Sequence, residues 1–524
     1  MKKILYLIAF IFLFASCDVN VDNPNTSTQK TFWKTEKDAL NGVNAVYNMF
    51  YKPGIYTRWY WFRMDLTSDE GWSQSPWGEL REWTCFIYNN YNFGEGNSFT
   101  YHDLYETIFR ANQVLANVPN IKFNDEADKN AILAQASFLR GLAYYNLATL
   151  WGSDNKSIPL VLTPSKPGDQ ANGADVSTIY GQAILDFTDA IKGLPKDWDA
   201  KEKGRATYGA ALALRAKCYM QQRNFADAQK DLEWLVEGEG KGYYGLVANY
   251  QDNFTMYNEN NIESVFELQY SDEHKAPAGD GDFDVDPNLG QNRGKFFAPP
   301  GIGWTDGELR PWIVEEMKKE KDINGNYDIR LKYTAFYEGM DKDFTDNNKI
   351  YNIKLDGEGA NIWKEQNWKG RVFFRKYGSD YYRDFDDYHN PTNIRLIRFA
   401  DILLLYAECI AENNGDLSKA IGYVDKVRNR ANMPALSVNH SQATKSKEAF
   451  LKRLQMERVS ELASEGHRWE DIKRWKLAET TEGLEELKSR DADFNNFKAT
   501  RHTCLPIPSS EVSNNPNIIN NPNY

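Results

Sequence analysis

Apolar positions recur every three or four residues from 128 to 151, where Leu133, Ala136, Leu139, Ala143, Leu147 and Leu150 share one helical face. Gly152 and then Pro159 end that pattern. A second periodic stretch runs from Tyr208 to Val236. Ala210, Ala213 and Ala216 come first, Gln222 to Asn224 form a polar turn, and Ala228 opens another amphipathic run. Small residues at these places let two antiparallel helices approach closely. The layout returns over 396–433, with Ala407 and Ala420 on either side of Asn414-Gly415-Asp416 and Pro434 as the stop. Ile402 to Leu405 makes the first of these helices apolar almost all round, which predicts a central position. One further helix is predicted over 446–475.

Helix–turn–helix units with small residues at the crossing have the layout of tetratricopeptide-type pairs. Two or three degenerate copies predict a helical scaffold, not a long solenoid. Between them, roughly 240–395, Gly, Asn, Asp and aromatics dominate, and short alternating runs such as Ser264 to Tyr270 and Arg371 to Tyr377 predict small strands. The segment 54–100 has a similar character, with Trp59, Trp61, Trp72, Trp77 and Trp83 among Gly, Ser and Asn. The predicted fold class is therefore mostly α: tetratricopeptide-like helical pairs overlaid with irregular loops and short strands. Aromatic loops on a rigid helical base are where binding concentrates.

The N-terminus changes the picture. Lys2 and Lys3 precede an apolar run from Ile4 to Phe14, too short to span a bilayer, which takes about 20 residues. Phe14-Ala15-Ser16-Cys17 resembles a bacterial lipobox, in which cleavage falls before the cysteine and the thiol is acylated. The expected plan is a signal peptide over 1–16, an acylated Cys17 with a polar tether to residue 30, and a globular body. That body is expected as an N-terminal helical part over 31–240 joined to a C-terminal part over 241–524.

With 524 residues there is ample chain for a large core. A net charge of −12 argues against nucleic acid, whose phosphates call for a Lys/Arg surface. The remaining cysteines, Cys85, Cys218, Cys409 and Cys504, lie in no CxxC or Cys/His spacing, so no zinc or redox motif is present. Cys218 and Cys409 fall in apolar helical runs and read as buried free thiols. Most of the 15 Trp, 30 Tyr and 28 Phe must be core, since so many rings cannot all serve a ligand.

The C-terminal third carries a resemblance. The run from Glu457 to Trp475 (ERVSELASEGHRWEDIKRW) resembles the ER-x-x-EL-x-x-EG-x-R-x-x-D-x-x-RW pattern of the SusD/RagB family. Leu505 to Glu511 (LPIPSSE) and Asn520 to Tyr524 (NNPNY) are similar to that family's tail, with Asn520 and Asn523 replacing its usual Gln and Gly. Arg398 to Glu408 (RFADILLLYAE) resembles the helix before its helical pair. Ala39 to Val43 resembles its opening helix, and Tyr105 to Ile108 with Ala111-Asn112 the next one. The resemblance implies an outer-membrane lipoprotein that lids a SusC-like, TonB-dependent transporter and presents glycans, or in some members peptides, for import.

Arg458, Glu461, Glu465, His467, Arg468 and Asp471 form a dense charge cluster. Helical spacing makes neighbours of Arg458 and Glu461, Glu461 and Glu465, and His467 and Asp471, and the cluster reads as a structural ion-pair network. Asp280, Asp282, Asp284 and Asp286 alternate like a calcium loop. Val285 stands where the tight-turn glycine belongs and Gln291 where the bidentate glutamate belongs, so a solvated acidic loop is expected and no metal. No GxSxG, HExxH or P-loop occurs, and no cofactor or catalytic residue is expected. A sugar offers an apolar C–H face and a rim of hydroxyls, so its site wants an exposed indole beside Asp, Arg or Asn. Asp69, Trp72, Trp77, Arg81, Trp83 and Trp304 supply both elements and are the candidate ligand residues. Two other classes stay open: a protein-binding adaptor of tetratricopeptide type, and a surface hydrolase with paired carboxylates about 5–9.5 Å apart.

Overall fold

The computed structural model describes residues 32–89, 95–273, 289–355, 362–365 and 368–524. Cys17 with its leader and tether, and the alternating aspartates 280–286, lie outside the described residues.

Eight helices make the scaffold: α1 Glu95–Asn117, α2 Glu126–Trp151, α3 Val176–Gly193, α4 Tyr208–Gln221, α5 Phe225–Val236, α6 Phe399–Glu412, α7 Leu417–Arg430 and α8 Lys447–Leu462. Most of their starts are fixed locally by side chains that accept from the orphan N–H groups of the first turn. Asp125 caps α2, Thr207 α4, Asn224 α5, Asp416 α7 and Ser446 α8. Arg223 and Asn414 take left-handed backbone in the two tight inter-helix turns. Each helix packs on the next along the chain, α1 on α2 through to α6 on α7, and α8 closes on both α6 and α7. The row of packed helices is thus longer than two or three pairs. It is also interrupted, because the whole segment 237–398 is inserted between α5 and its neighbour α6.

The predicted crossings are there. Ala216, Ala228, Ala407 and Ala420 are fully buried, and α6 is buried from Phe399 to Ala411. Cys218 and Cys409 are free and buried, and Cys85 and Cys504 are free as well.

Two expectations are corrected. Residues 446–475 are not one helix: α8 ends at Leu462 and a short helix restarts at Arg468–Arg474. Ser464 and Gly466 between them have φ of 71° and 76°, which stops the helix outright. The break is held from afar, with Ser464 N–H donating to Glu70 Oε2 at 3.3 Å and Gly466 N–H to Asp65 Oδ1 at 3.2 Å. Arg293 Nη2 donates to the Ser464 carbonyl at 2.7 Å. Nor is 54–100 a loop block. Trp59–Leu66 is a helix with all eight residues buried, Gly78–Thr84 is another, and α1 has begun by Glu95.

The charge cluster of the C-terminal motif is a buried ion-pair network, but apart from Asp471 with Arg474 its pairs are tertiary and not helical neighbours. Arg458 meets Asp471 at 2.7 Å and Asp401 at 2.7 Å, not Glu461. Glu461 is held by Arg330, Arg398 and Arg430, and Glu465 by Arg398 and Lys376 at 2.7 Å each. Burial pushes the Glu461 carboxyl up, yet three guanidinium groups outweigh it and hold it far below the usual carboxylate range. Among the described residues no helix is long and apolar enough to cross a membrane.

The predicted short strands exist. Ser264–Leu268 pairs with Ile394–Arg398, leading directly into α6. A four-stranded antiparallel sheet has the order β1-β2-β4-β3, from β1 Gly71–Trp72, β2 Glu308–Leu309, β3 Ala335–Tyr337 and β4 Val372–Phe374. It joins the first aromatic block to the inserted segment, and the candidate site grows from that junction.

Candidate functional site

β1 and β2 register Gly71 with Leu309 and Trp72 with Glu308. The two chains stay together beyond the strands, where the buried Ser75 hydroxyl donates to Asp306 Oδ1 at 2.6 Å. Two residues further along one chain is Trp77; two residues back along the other is Trp304. The same antiparallel approach therefore carries both indoles toward one rim.

Trp304 is lifted to the surface by a tight turn. Gly301 sits at φ 89°, Ile302 and Gly303 N–H both donate to the Pro299 carbonyl, and Trp304 N–H donates to the Lys295 carbonyl at 2.9 Å. A Cβ on Gly303 would lie 2.4 Å from the Lys295 carbonyl oxygen, so only glycine permits this return. Trp304 is 59% exposed, yet it is not loose. Its Nε1–H donates to Tyr388 Oη at 2.9 Å, and Lys295 Nζ lies 5.0 Å from the ring centre.

Beneath the rim runs a chain of rings. Trp77 is half-buried with its ring 4.6 Å from that of Trp59. The Arg58 guanidinium lies over Trp59 and, at 4.7 Å, over Phe296, which is 5.9 Å from Tyr388. Trp77 thus rests on a buried ring directly, and Trp304 is tied through Tyr388 to buried Phe296, which restrains both before any ligand arrives. Polar groups border the rim. Gln74 donates to Glu308 Oε1 at 2.7 Å, and Arg371 grips both Glu308 oxygens at 2.8 Å. Burial pushes the Asp306 carboxyl up, with the Ser75 hydrogen bond and Arg58 acting in the opposite sense.

The six predicted ligand residues divide. Trp304 and Trp77 lie on the two chains joined by Ser75 and Asp306, each two residues from that contact. Trp72 is half-buried on β1 under Arg310, whose guanidinium lies 5.2 Å from its ring centre. Arg81 is exposed on the outer face of Gly78–Thr84. Trp83 and Asp69 are corrected: both are fully buried and neither reaches a surface. Trp83 shares the inward face of its helix with Leu80 and packs against Trp59 and Arg63. Asp69 is spent on Arg468 and Arg490. Sequence reasoning missed Tyr388 and Lys295, although the alternating aromatic and charged run Tyr381 to Tyr388 was there to be seen.

Elsewhere, a cavity of about 690 Å³ between α1, the loop after Pro159 and the segment around Glu511 includes none of the predicted ligand residues. Among the described residues one grouping brings metal-ligand atoms within 4.8 Å of one another: His102, Asp103 and Glu106 on α1. Glu106 is already paired with Arg110, and one Asp103 oxygen takes the Gly54 N–H.

Residues 217–524 match the family model described as SusD family. Residues 18–220 match one described as starch-binding, associating with outer membrane, and the two meet within α4. Two SusD-like proteins of Formosa agariphila are each 25% identical, over 99% and 100% of this chain and 98% and 99% of their own lengths. A SusD superfamily protein from Bacteroides vulgatus has the same fold, with a TM-score of 0.78 at 25% identity over 94% of this chain and 99% of its own. A laminarin-binding SusD-like protein gives 0.74 at 25% identity, covering 94% of this chain and all of its own. Surface glycan-binding protein A from Bacteroides thetaiotaomicron, solved with laminarihexaose, gives 0.72 at 19% identity over 93% and 99%, a likeness of fold.

Proposed function

The chain belongs to the SusD family, and from that membership we propose that it is a lipid-anchored protein of the bacterial outer membrane that captures glycan at the Trp304–Trp77 rim and passes it to a SusC-like, TonB-dependent transporter. The observation that carries the binding step is Trp304 itself. A large indole left in water, yet fixed in orientation by Tyr388 and Lys295, is preorganised to stack on the C–H face of a sugar ring. Trp77 and the polar side chains around it supply a second surface and hydroxyl partners. Two fold relatives bind laminarin or laminarihexaose, which makes β-glucans the first ligands to try.

Capture without turnover fits the two buried carboxylates beneath the rim. Glu308 is occupied by Arg371 and Gln74, and Asp306 by Ser75, so neither faces the rim as an unengaged acid or base. The anchor rests on the lipobox-like Cys17, and the transfer step on family membership.

Titration calorimetry of the protein lacking residues 1–17 against a polysaccharide panel tests the binding step, with the same mixtures assayed for reducing ends. Binding to at least one glycan, abolished by Trp304→Ala and without released ends, is expected. No binding across the panel, or release of ends abolished by one carboxylate substitution, overturns it. Cys17→Ala is expected to leave the envelope fraction, and wild type purified from mild detergent to bring down a large barrel.

A further inference from the structure

The rim does not stop at Trp304. The loop 378–391, which follows β4, carries Tyr381, Tyr382, Phe385 and Tyr388 within eight positions. One end of this run accepts the Trp304 hydrogen bond at Tyr388. The other end meets Tyr257, whose ring stands edge-on to Tyr381 with centroids 5.5 Å apart. The Met256 N–H donates to Tyr381 Oη at 2.8 Å, so the short helical turn that presents Tyr257 is tied to the loop.

Tyr257 is 70% exposed and Phe385 53%, comparable with Trp304. Rings this open contribute little to the core. They are linked along the loop: Tyr381 meets Tyr382 at 4.8 Å, and Arg383 spans from Tyr382 to Phe385. Exposed apolar surface of this kind marks interaction sites. The loop beneath them is nonetheless rigidly held. Asp386 is buried and accepts from Ser379 N–H at 3.1 Å, Asn390 Nδ2 at 3.2 Å and the Tyr351 hydroxyl. Arg383 lies 4.6 Å from the Phe385 ring and 5.3 Å from Tyr382, and is fixed by Asp387 at 2.9 Å. The loop therefore presents rings alternating with ordered charges. That is the pattern for a ligand that repeats an apolar face and a hydroxyl edge along its length.

We infer that the glycan site is a strip running from Trp304 along loop 378–391 to Tyr257, built for an oligosaccharide many residues long, with Phe385 and Tyr257 as its length-reading end. This rests on the glycan reading of Trp304 and adds the size of the ligand and two residues that select it.

The test is titration with laminari-oligosaccharides of two to eight residues, and with size-graded oligomers of any polysaccharide found in the panel. Wild type, Trp304→Ala and the Tyr257→Ala/Phe385→Ala double variant are compared, each with a thermal melt. Wild-type affinity is expected to rise tenfold or more from the shortest to the longest bound oligomer. The double variant should lose that rise, keep wild-type affinity for the shortest, and melt like wild type. Trp304→Ala should weaken every length. A wild-type affinity that stops rising by three residues, or a double variant that keeps the rise, overturns the strip while the Trp304 site stands. An early-melting double variant places these rings in the fold and overturns it too. If wild type binds no oligomer, both readings fall.

Discussion

Asp69 and Arg468, 399 positions apart in the sequence, face each other in the interior with both carboxylate oxygens engaged, at 2.6 and 2.8 Å from the guanidinium nitrogens. Arg490 adds a third contact at 3.3 Å. The pair joins the first aromatic block to the C-terminal motif directly. Ser464 and Gly466 are latched onto Glu70 and Asp65 alongside it. The motif thereby holds the base of β1, and β1 sets where Trp72 and Trp77 stand.

Breaking that pair from one side should be costly. Burial pushes the Asp69 carboxyl up, and Arg468 and Arg490 more than offset it, so it stays charged at neutral pH. Arg468→Met strands most of that charge, at about 3–5 kcal/mol. A clear fall in melting temperature is expected. The double variant Asp69→Leu/Arg468→Met, which leaves no stranded charge, should recover much of it. Equal melting of the single variant and wild type would contradict the pairing.

The helix crossings give a second prediction. Ala216 and Ala407 are fully buried at neighbouring crossings of the scaffold. Tryptophan at either should overpack by about 1–3 kcal/mol or more. Unfolding midpoints of Ala216→Trp and Ala407→Trp that match wild type would mean these faces are not in contact.

Acid sensitivity follows from two buried imidazoles. His502 lies among Phe86, Tyr88 and Phe497 and accepts the Lys498 N–H at Nδ1. Burial, helped by Arg501 and Lys498, lowers its pKa to about 4, and burial lowers that of His467 as well. An unfolded histidine titrates near pH ~6.5. The unfolded chain therefore binds protons first as pH falls. Stability from His502 is complete above pH ~6.5 and is lost progressively toward pH 4. His502→Phe should narrow the difference in melting temperature between pH 7 and pH 4.5. An unchanged difference would remove His502 as a cause.

How much of this was legible depends on where the determinants lie. α2, α4 with α5, and α6 with α7 show in the sequence because period, cap and turn residues are all local. The break after α8 does not, since Ser464 and Gly466 are forced by Asp65, Glu70 and Arg293 from elsewhere in the chain. Trp59–Leu66 hid for another reason: buried on every side, it has no polar face to give a period. At the site, composition could not separate Trp304 from Trp83. Both are tryptophans near glycine or polar residues, and only the inward face shared with Leu80 decides that Trp83 is core. Arg458 likewise advertised a charge partner, but sequence spacing pointed to Glu461 where the fold supplies Asp401 and Asp471.

That contrast yields the most discriminating prediction. Trp304 is more than half exposed and Trp83 not at all, so the two should fail in opposite ways on truncation to alanine. Trp83→Ala removes a ring packed against Trp59 and Arg63, and a buried tryptophan costs about 3–5 kcal/mol. Its melting temperature should drop, and glycan affinity measured well below that melt should survive. Trp304→Ala removes little buried area, so its melt should match wild type. Its affinity should fall by more than tenfold, the loss of a binding hot spot of about 2 kcal/mol or more. Trp77→Ala should show both effects in part, since its ring meets Trp59 on one side and the rim on the other. Melts and titrations of the three variants, run on the glycan that wild type binds, separate these outcomes. A stable Trp83→Ala that no longer binds, or an early-melting Trp304→Ala that binds normally, would reverse the assignment of core and platform.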